Sequence, residues 1–278
     1  MRGVSEMNTE SIKNAIVTAV QSRTEVQNRS SVPVVRPELS ARSRAISSGR
    51  SRPTGRDRRV LALVGHHYGA TYFTLGYWLA DNGASFVSEA AVRQQVRRWV
   101  ALGLVTKLTR LNNIWVTLTP RGYDFVGQKY VPWRAPATRL VHTDAVAATR
   151  IWYESSPDRV AQHGRWICER QLLQQRGRFG PQEWHVADAE LQLDPSNAVA
   201  IEVELTVKRP ASRYATEVLE RLRPGVTAVI YMCPPAMVGA LRRSVTHAQD
   251  KSGVGSSVAL TVDALPKIAQ RRAEAAHR

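Results

Sequence analysis

Cysteine is scarce in this 278-residue chain: only Cys168 and Cys233 occur, each inside an apolar segment. Two thiols without metal-ligand spacing exclude a disulfide framework and a structural zinc site, and fit buried thiols in a reducing cytoplasm. No apolar run approaches the ~20 residues that a membrane helix needs. The opening Met1-Arg2-Gly3-Val4-Ser5-Glu6 has no secretory apolar region, so the expected location is the cytoplasm, with no membrane partner. A Gly-rich phosphate loop and a dinucleotide fingerprint are also missing. Lysine is rare, 6 residues against 33 arginines, a bias that GC-rich coding produces without any function.

What the chain does have is positive charge. The net charge is +16 with a pI near 10.7, and a basic chain calls for an anionic partner such as nucleic acid. Distribution argues better than the total. Residues 1–60, 61–150 and 151–278 carry +7, +6 and +3, so the excess sits in the first 150 residues. A hydrophobic content of 43% and this length suit one large domain or two ordinary ones.

Residues 1–56 lack a sustained hydrophobic period, apart from a short helical stretch over Ile12–Val20. Ser, Arg and Pro follow in quantity, as in Gly49-Arg50-Ser51-Arg52-Pro53. Such a segment buries too little apolar surface to offset its ordering entropy and is expected to be a disordered basic arm. Order is expected from residue 57. Three helices are predicted, around Arg59–Val64, Thr71–Leu79 and Ser88–Leu102, the last capped at Ser88 and stopped by Gly103. Its apolar positions Val92, Val96, Trp99 and Val100 recur at helical spacing, and its other face carries Arg93, Gln94, Gln95, Arg97 and Arg98. Two alternating strands, Leu104–Arg110 and Ile114–Thr119, form a hairpin through Leu111-Asn112-Asn113.

Residues 131–139, with Pro132 and Pro136, read as a linker into a second domain over 140–266, and 267–278 as a basic tail. Within 140–266 the pattern predicts helices over residues 140–154, 159–175, 212–222 and 235–248. Strands are expected over 184–193, 200–206, 226–232 and 258–262, so the domain is α/β. One stretch stands out: Ala200-Ile201-Glu202-Val203-Glu204-Leu205-Thr206 sets two carboxylates two apart in an apolar run, hence on one face of a strand. A core accepts such a pair only with compensation, by a metal ion or by a basic partner such as Lys208, Arg209 or Arg213. His142 reads as a cap or an inter-domain hydrogen-bond partner. His66 and His67, adjacent on a helix and so pointing apart, read as surface or capping residues.

Helix, helix, helix, hairpin is the order of a winged helix-turn-helix domain. Thr119-Pro120-Arg121-Gly122-Tyr123 resembles the Leu-Thr-x-x-Gly ending common after the wing in bacterial winged-helix regulators, a likeness covering residues 58–128. It implies that the third helix enters the major groove and the wing touches the backbone. Arg93, Gln94, Arg97 and Arg98 are then base readers or phosphate clamps, with Lys107 and Arg110 on the wing. The second half resembles the PD-(D/E)xK nuclease-like core. The whole chain is similar to replication-relaxation proteins of actinobacterial plasmids and integrative elements, over about residues 58–245. The residues carrying that likeness are Glu169 in Trp166-Ile167-Cys168-Glu169-Arg170, Asp188 in Val186-Ala187-Asp188-Ala189, and Ile201-Glu202-Val203-Glu204-Leu205-Thr206-Val207-Lys208.

That resemblance implies metal ligation of Mg²⁺ or Mn²⁺ by Glu169, Asp188 and Glu202. If the site is active, Asp188, Glu202, Glu204 and Lys208 are catalytic. Two departures count against activity: Ala187 stands where the motif has proline, and Glu204 stands where it has lysine. The expected fold is α+β or α/β, a winged helix followed by a nuclease-like α/β domain. The expected function is a double-stranded DNA-binding accessory protein of a mobile element, acting with relaxase or replication proteins, its nuclease-like domain an inactive scaffold. A Mg²⁺-dependent endonuclease and a transcriptional regulator are the alternatives. The histidine pair and nucleophilic tyrosine expected of a relaxase are not present in the sequence.

Overall fold

Thr54 starts the first helix of the computed structural model, which describes residues 52–80, 86–110, 113–132, 136–178, 184–194, 196–206, 211–252 and 258–270. The expected arm up to residue 51, the 271–278 segment and Lys208 lie outside the described residues. Helix α1 (Gly55–His66) opens with a capping box: Asp57 N donates to Thr54 Oγ1 at 3.2 Å and Thr54 N to Asp57 Oδ2 at 2.6 Å. Strand β1 (Ala70–Thr71) leads into α2 (Tyr72–Leu79), capped by Thr71. Helix α3 (Glu89–Ala101) is capped by Ser88, and Gly103, at φ +69°, turns the chain out of it.

Strands β2 (Val105–Arg110) and β3 (Asn113–Leu118) pair antiparallel, and β1 adds to β3, giving the order β1-β3-β2. Helix α4 (Pro120–Val126) follows, with Thr119 as its cap. The Leu118–Gly122 motif here has a physical reason. Thr119 Oγ1 accepts from Gly122 N at 3.0 Å and donates to Gly103 O at 2.6 Å. A Cβ on residue 122 would meet Leu104 O at 2.0 Å, so only glycine lets α4 pack this close to β2.

The second half runs α5 (Ala137–Glu154), α6 (Pro157–His163), β4 (Arg165–Cys168), α7 (Glu169–Arg178), β5 (Ala189–Asp194), β6 (Asn197–Val203), α8 (Ala211–Glu220), β7 (Val226–Cys233), a 3₁₀ turn (Pro235–Met237), α9 (Val238–Ser252) and β8 (Ala259–Ala264). Its sheet has the order β4-β5-β6-β7-β8: β4, β5 and β6 form an antiparallel meander, and β7 and β8 continue parallel to β6. The single helix expected over 159–175 is instead a helix, a strand and a helix. Gly164 breaks it, with φ +82° and its α-carbon so close to Gln192 O that a Cβ would lie 2.1 Å away. Trp166, Ile167 and Cys168 then bury as an edge strand.

Ile201, Val203 and Met232 pack with Ala145, Val146 and Ala148 of α5 on one face of the sheet. Ala198, Ala200, Val229 and Tyr231 pack with Ala215 and Leu219 of α8 and Leu241 and Val245 of α9 on the other. Helix α5 also gives Ala147 and Ile151 to the core of the first half, around Leu61, Leu75, Val96 and Trp99. A helix with apolar side chains on two sides joins two cores, and Arg50–Arg278 groups as one compact unit. The segment read as a linker therefore does not separate two independent bodies, and α5 starts at Ala137 rather than 140. Nor is the C-terminal stretch all tail: Ile268 and Ala269 pack into the core from a helical turn at 267–270. No helix among the described residues is long and apolar enough to cross a membrane.

Candidate functional site

Two surfaces hold the residues singled out in the sequence. On α3, Val92, Val96 and Trp99 face the core, which turns Arg93, Gln94 and Arg97 outward, all exposed. Arg93 forks onto Glu89 one turn earlier, with Nε at 3.0 Å and Nη2 at 2.5 Å from Oε1. An exposed i,i+4 pair of this kind contributes only ~0.3–0.5 kcal/mol, so Arg93 stays available to a phosphate. Lys107 and Arg110 are exposed on β2.

Arg98 has a different job. Its guanidinium pairs with Asp57, a carboxylate 2% exposed that also accepts from Gln95 Nε2 at 2.7 Å and Trp99 Nε1 at 2.9 Å. Burial pushes the Asp57 carboxyl up, but the hydrogen bonds from Thr54, Trp99 and Arg98 outweigh it and hold it below its ordinary value. Arg98 and Gln95 thus lock α3 onto α1.

The acidic residues meet at the end of the five-stranded sheet. Pairing Ala189↔Ile201, continued by one residue, sets Asp188 beside Glu202, and Glu202 is in parallel register with Tyr231. Asp188 Oδ2 accepts from Val203 N at 2.8 Å and from His142 Nε2 at 3.1 Å. His142 Nε2 also lies 3.0 Å from Val203 O. Two acceptors on one ring nitrogen place its proton there. Burial alone lowers the His142 pKa, but Asp188 and Val203 O outweigh that and raise it to about 9.

Glu202 is 3% exposed and bonds His185 Nε2 through Oε1 at 2.6 Å. Burial, opposed by His185 and assisted by Asp188 and Glu204, raises its pKa to about 7. Glu204 lies one residue beyond β6, 6% exposed, its N–H donating to Met232 O at 2.8 Å. Tyr214 of α8 stands edge-on to His185, centroids 6.4 Å apart. Burial and then Glu202, Glu204 and Asp188 push its phenol up.

Glu169 opens α7. Its N–H donates to Asp188 O at 3.1 Å, its carboxylate accepts from the Tyr68 hydroxyl, and Arg139 Nη2 lies 3.7 Å away. Burial raises its pKa first, Asp188 second. A cleft of about 20 Å³, as the space open to the centre of a water molecule, lies between Tyr68, His142, Cys168, Glu169 and Asp188. This is room for one or two waters.

The expected ligand trio Glu169, Asp188 and Glu202 is therefore gathered at one sheet end, with each carboxylate held by a protein partner. Among the described residues no group of three or more His, Cys, Asp or Glu is arranged to hold a metal ion, so as arranged these donors do not fit Mg²⁺ or Mn²⁺. The basic partner of Glu202 is His185. Arg213, one of the residues expected there, instead bonds Glu217 at the surface at 3.0 Å.

Sequence reading passed over His185, Tyr214, Tyr68 and Arg170. His185 stood three residues before Asp188, a weak signal that needed the strand register to become meaningful. His67 is a capping residue, as one of the two expected roles had it: it is the C-cap of α1, its N–H donating to Leu63 O at 3.0 Å, but neither histidine is exposed. His67 is buried against Trp78, its ring 3.3 Å from Arg150 Nη1, and its pKa is lowered by burial and then Arg150. His66 bonds the Tyr130 hydroxyl at 2.9 Å. Burial, then Arg150 and Arg170, lowers its pKa to about 4. Arg170, buried, donates to Gly65 O at 2.9 Å, Tyr123 Oη at 2.8 Å and Val131 O at 2.6 Å, and sits over the Tyr68 and Tyr130 rings at 4.6 and 4.2 Å. It pins α7 to the first half of the chain. No family model, curated protein or solved structure matches this chain.

Proposed function

We propose that this chain is a double-stranded DNA-binding accessory protein of a plasmid or integrative mobile element, of the replication-relaxation kind, working beside relaxase or replication proteins. Helices α1–α3 and the β2–β3 hairpin act as a winged helix-turn-helix, and the five-stranded unit acts as a nuclease-like scaffold. The observation that carries the reading is the exposure of Arg93, Gln94 and Arg97 together on α3, with Lys107 and Arg110 exposed on the hairpin. Guanidinium and amide groups on one helix face have the donors to clamp phosphates and read purine edges in a major groove.

The test is fluorescence anisotropy on duplex DNA across a salt series. Replacing Arg93 and Arg97 together by alanine removes two phosphate neutralisations and lowers the slope of log K against log salt by about 1.8. Unchanged binding by that double variant sinks the placement of α3 in the groove.

The scaffold role is favoured because His142 and His185 occupy the carboxylates that a metal would need. The second reading, a Mg²⁺-dependent endonuclease, is favoured by Asp188 standing beside Glu202 where an antiparallel meander passes into parallel pairing. Supercoiled plasmid incubated with Mg²⁺ or Mn²⁺ separates the two. The scaffold reading expects no nicking, whereas nicking that Glu202→Ala abolishes establishes the enzyme.

A further inference from the structure

An aromatic cluster with one exposed ring, that of Phe86, lies just ahead of α3 in the chain. Phe73 and Tyr77 are one turn apart on α2, and Phe86 folds back across both. Ring centroids are 5.2 Å apart for Phe73–Tyr77 and Tyr77–Phe86, and 5.9 Å for Phe73–Phe86. Gly76 permits this: a Cβ there would meet the Phe86 ring at 2.3 Å, so the ring rests on the helix backbone. Phe86 is nevertheless 45% exposed, and Phe73 and Tyr77 are half-buried. The same half of the molecule buries Trp78 and Trp99.

The patch leads along the chain into the helix that carries the cationic face. Phe86 is followed by Val87, whose N–H donates to Gly76 O at 3.2 Å, and by Ser88, the cap of α3. Tyr72, next to Phe73, lies within the field of Arg93, Arg97 and Glu89. Aromatic rings beside guanidinium groups suit a nucleic acid whose base faces are open. Arginine takes the phosphate while a ring stacks on the base. A fully paired duplex hides those faces.

We propose that the Phe73–Tyr77–Phe86 patch receives an unpaired base, so that the protein prefers DNA opened or mismatched beside the α3 site. This rests on the DNA-binding reading above. A second copy of the chain is the rival occupant. Three side chains are a small part of the ~20–30 residues a side that a stable interface employs, and the flanking Arg93 and Arg97 favour an anion over an identical basic face.

The experiment compares the full chain on a paired duplex and on the same duplex with a short central bubble carrying 2-aminopurine. The bubble is expected to bind about tenfold tighter at equal salt, with quenching of the reporter on stacking. Phe86→Ala removes the preference and the quench and leaves paired-duplex affinity within about twofold. Phe86→Leu, which keeps the packing on Gly76, serves if the alanine variant does not fold, and is expected to lose the quench equally. Equal binding of both probes overturns the proposal, as does a preference that survives loss of the Phe86 ring. Concentration-dependent dimerisation abolished by Phe86→Leu also overturns it, by assigning the patch to a second copy. Paired-duplex binding that persists without a bubble preference sinks only the patch. Absence of salt-sensitive binding to either probe sinks the DNA-binding reading itself.

Discussion

Asp57→Ala tests whether the α3 surface is held in place from beneath. The carboxylate closes the capping box of α1 and accepts from Gln95, Arg98 and Trp99. Thr54 remains the cap, but its N–H loses the Asp57 acceptor, a hydrogen bond worth about 1 kcal/mol. The fully buried Trp99 loses its acceptor, an unpaired donor worth about 1–3 kcal/mol. Arg98, its side chain 30% exposed, loses a carboxylate but regains some water, which keeps its share small. The sum is about 2–4 kcal/mol, a drop in Tm of roughly 10 °C at this chain length. Urea unfolding followed by tryptophan fluorescence measures it. Because hydrogen bonds hold the Asp57 carboxyl below its ordinary 3.8, its contribution is present above that pH. It is lost as pH falls through the folded value, so wild type and variant converge in acid. Arg98→Ala is the companion. It is expected to cost about 1–3 kcal/mol of stability and to leave the salt slope of DNA binding unaltered, unlike Arg97→Ala. A loss below 1 kcal/mol in Asp57→Ala, or a slope change in Arg98→Ala equal to that in Arg97→Ala, refutes the structural role.

Two further expectations concern the second half. Arg170→Met preserves volume but leaves Gly65 O, Val131 O and the Tyr123 hydroxyl without their donor. It is expected to destabilise by about 2–4 kcal/mol and to speed protease cleavage near residues 128–132, and wild-type protease resistance would count against the pin. Burial of Glu202 and the pairing of His142 with Asp188 predict a fall in stability on the alkaline side. Glu202, raised from 4.5 to about 7, contributes fully below 4.5 and loses that contribution as pH rises through 7. His142, raised from 6.5 to about 9, contributes fully below 6.5 and loses it as pH rises through 9. Tm is therefore expected to be lower at pH 9.5 than at pH 6. Glu202→Gln removes the lower part of that fall, and His142→Gln the upper part. A Tm that rises from pH 6 to 9.5 contradicts both the burial cost on Glu202 and the His142–Asp188 pairing.

Much of the fold was legible because its signals are local. Ser88 and Gly103 bound α3, alternation marked β2, and Glu202 and Val203 lie on the strand assigned to them, whereas Glu204 falls one residue beyond its end. The failures share a cause. The helix expected over 159–175 has a helical run of residues, but Gly164 is pressed against Gln192 O, a contact across 28 positions of chain that no periodicity reveals. His66 and His67 look like surface histidines until Tyr130 and Arg150 close over them.

By itself, the amino-acid sequence determined most of the segments that form helices and strands, where positive charge concentrates, and that Glu202 sits in an apolar strand. Caps, turn glycines and side-chain periods act within a few residues, so they are written locally. Tertiary structure decided the partners: that Arg98 belongs to Asp57 and not to the outer surface, that α5 serves two cores, and that Glu202 and Asp188 are answered by His185 and His142. Each depends on long-range register and burial, which set the distance and solvent access between charges far apart in the chain.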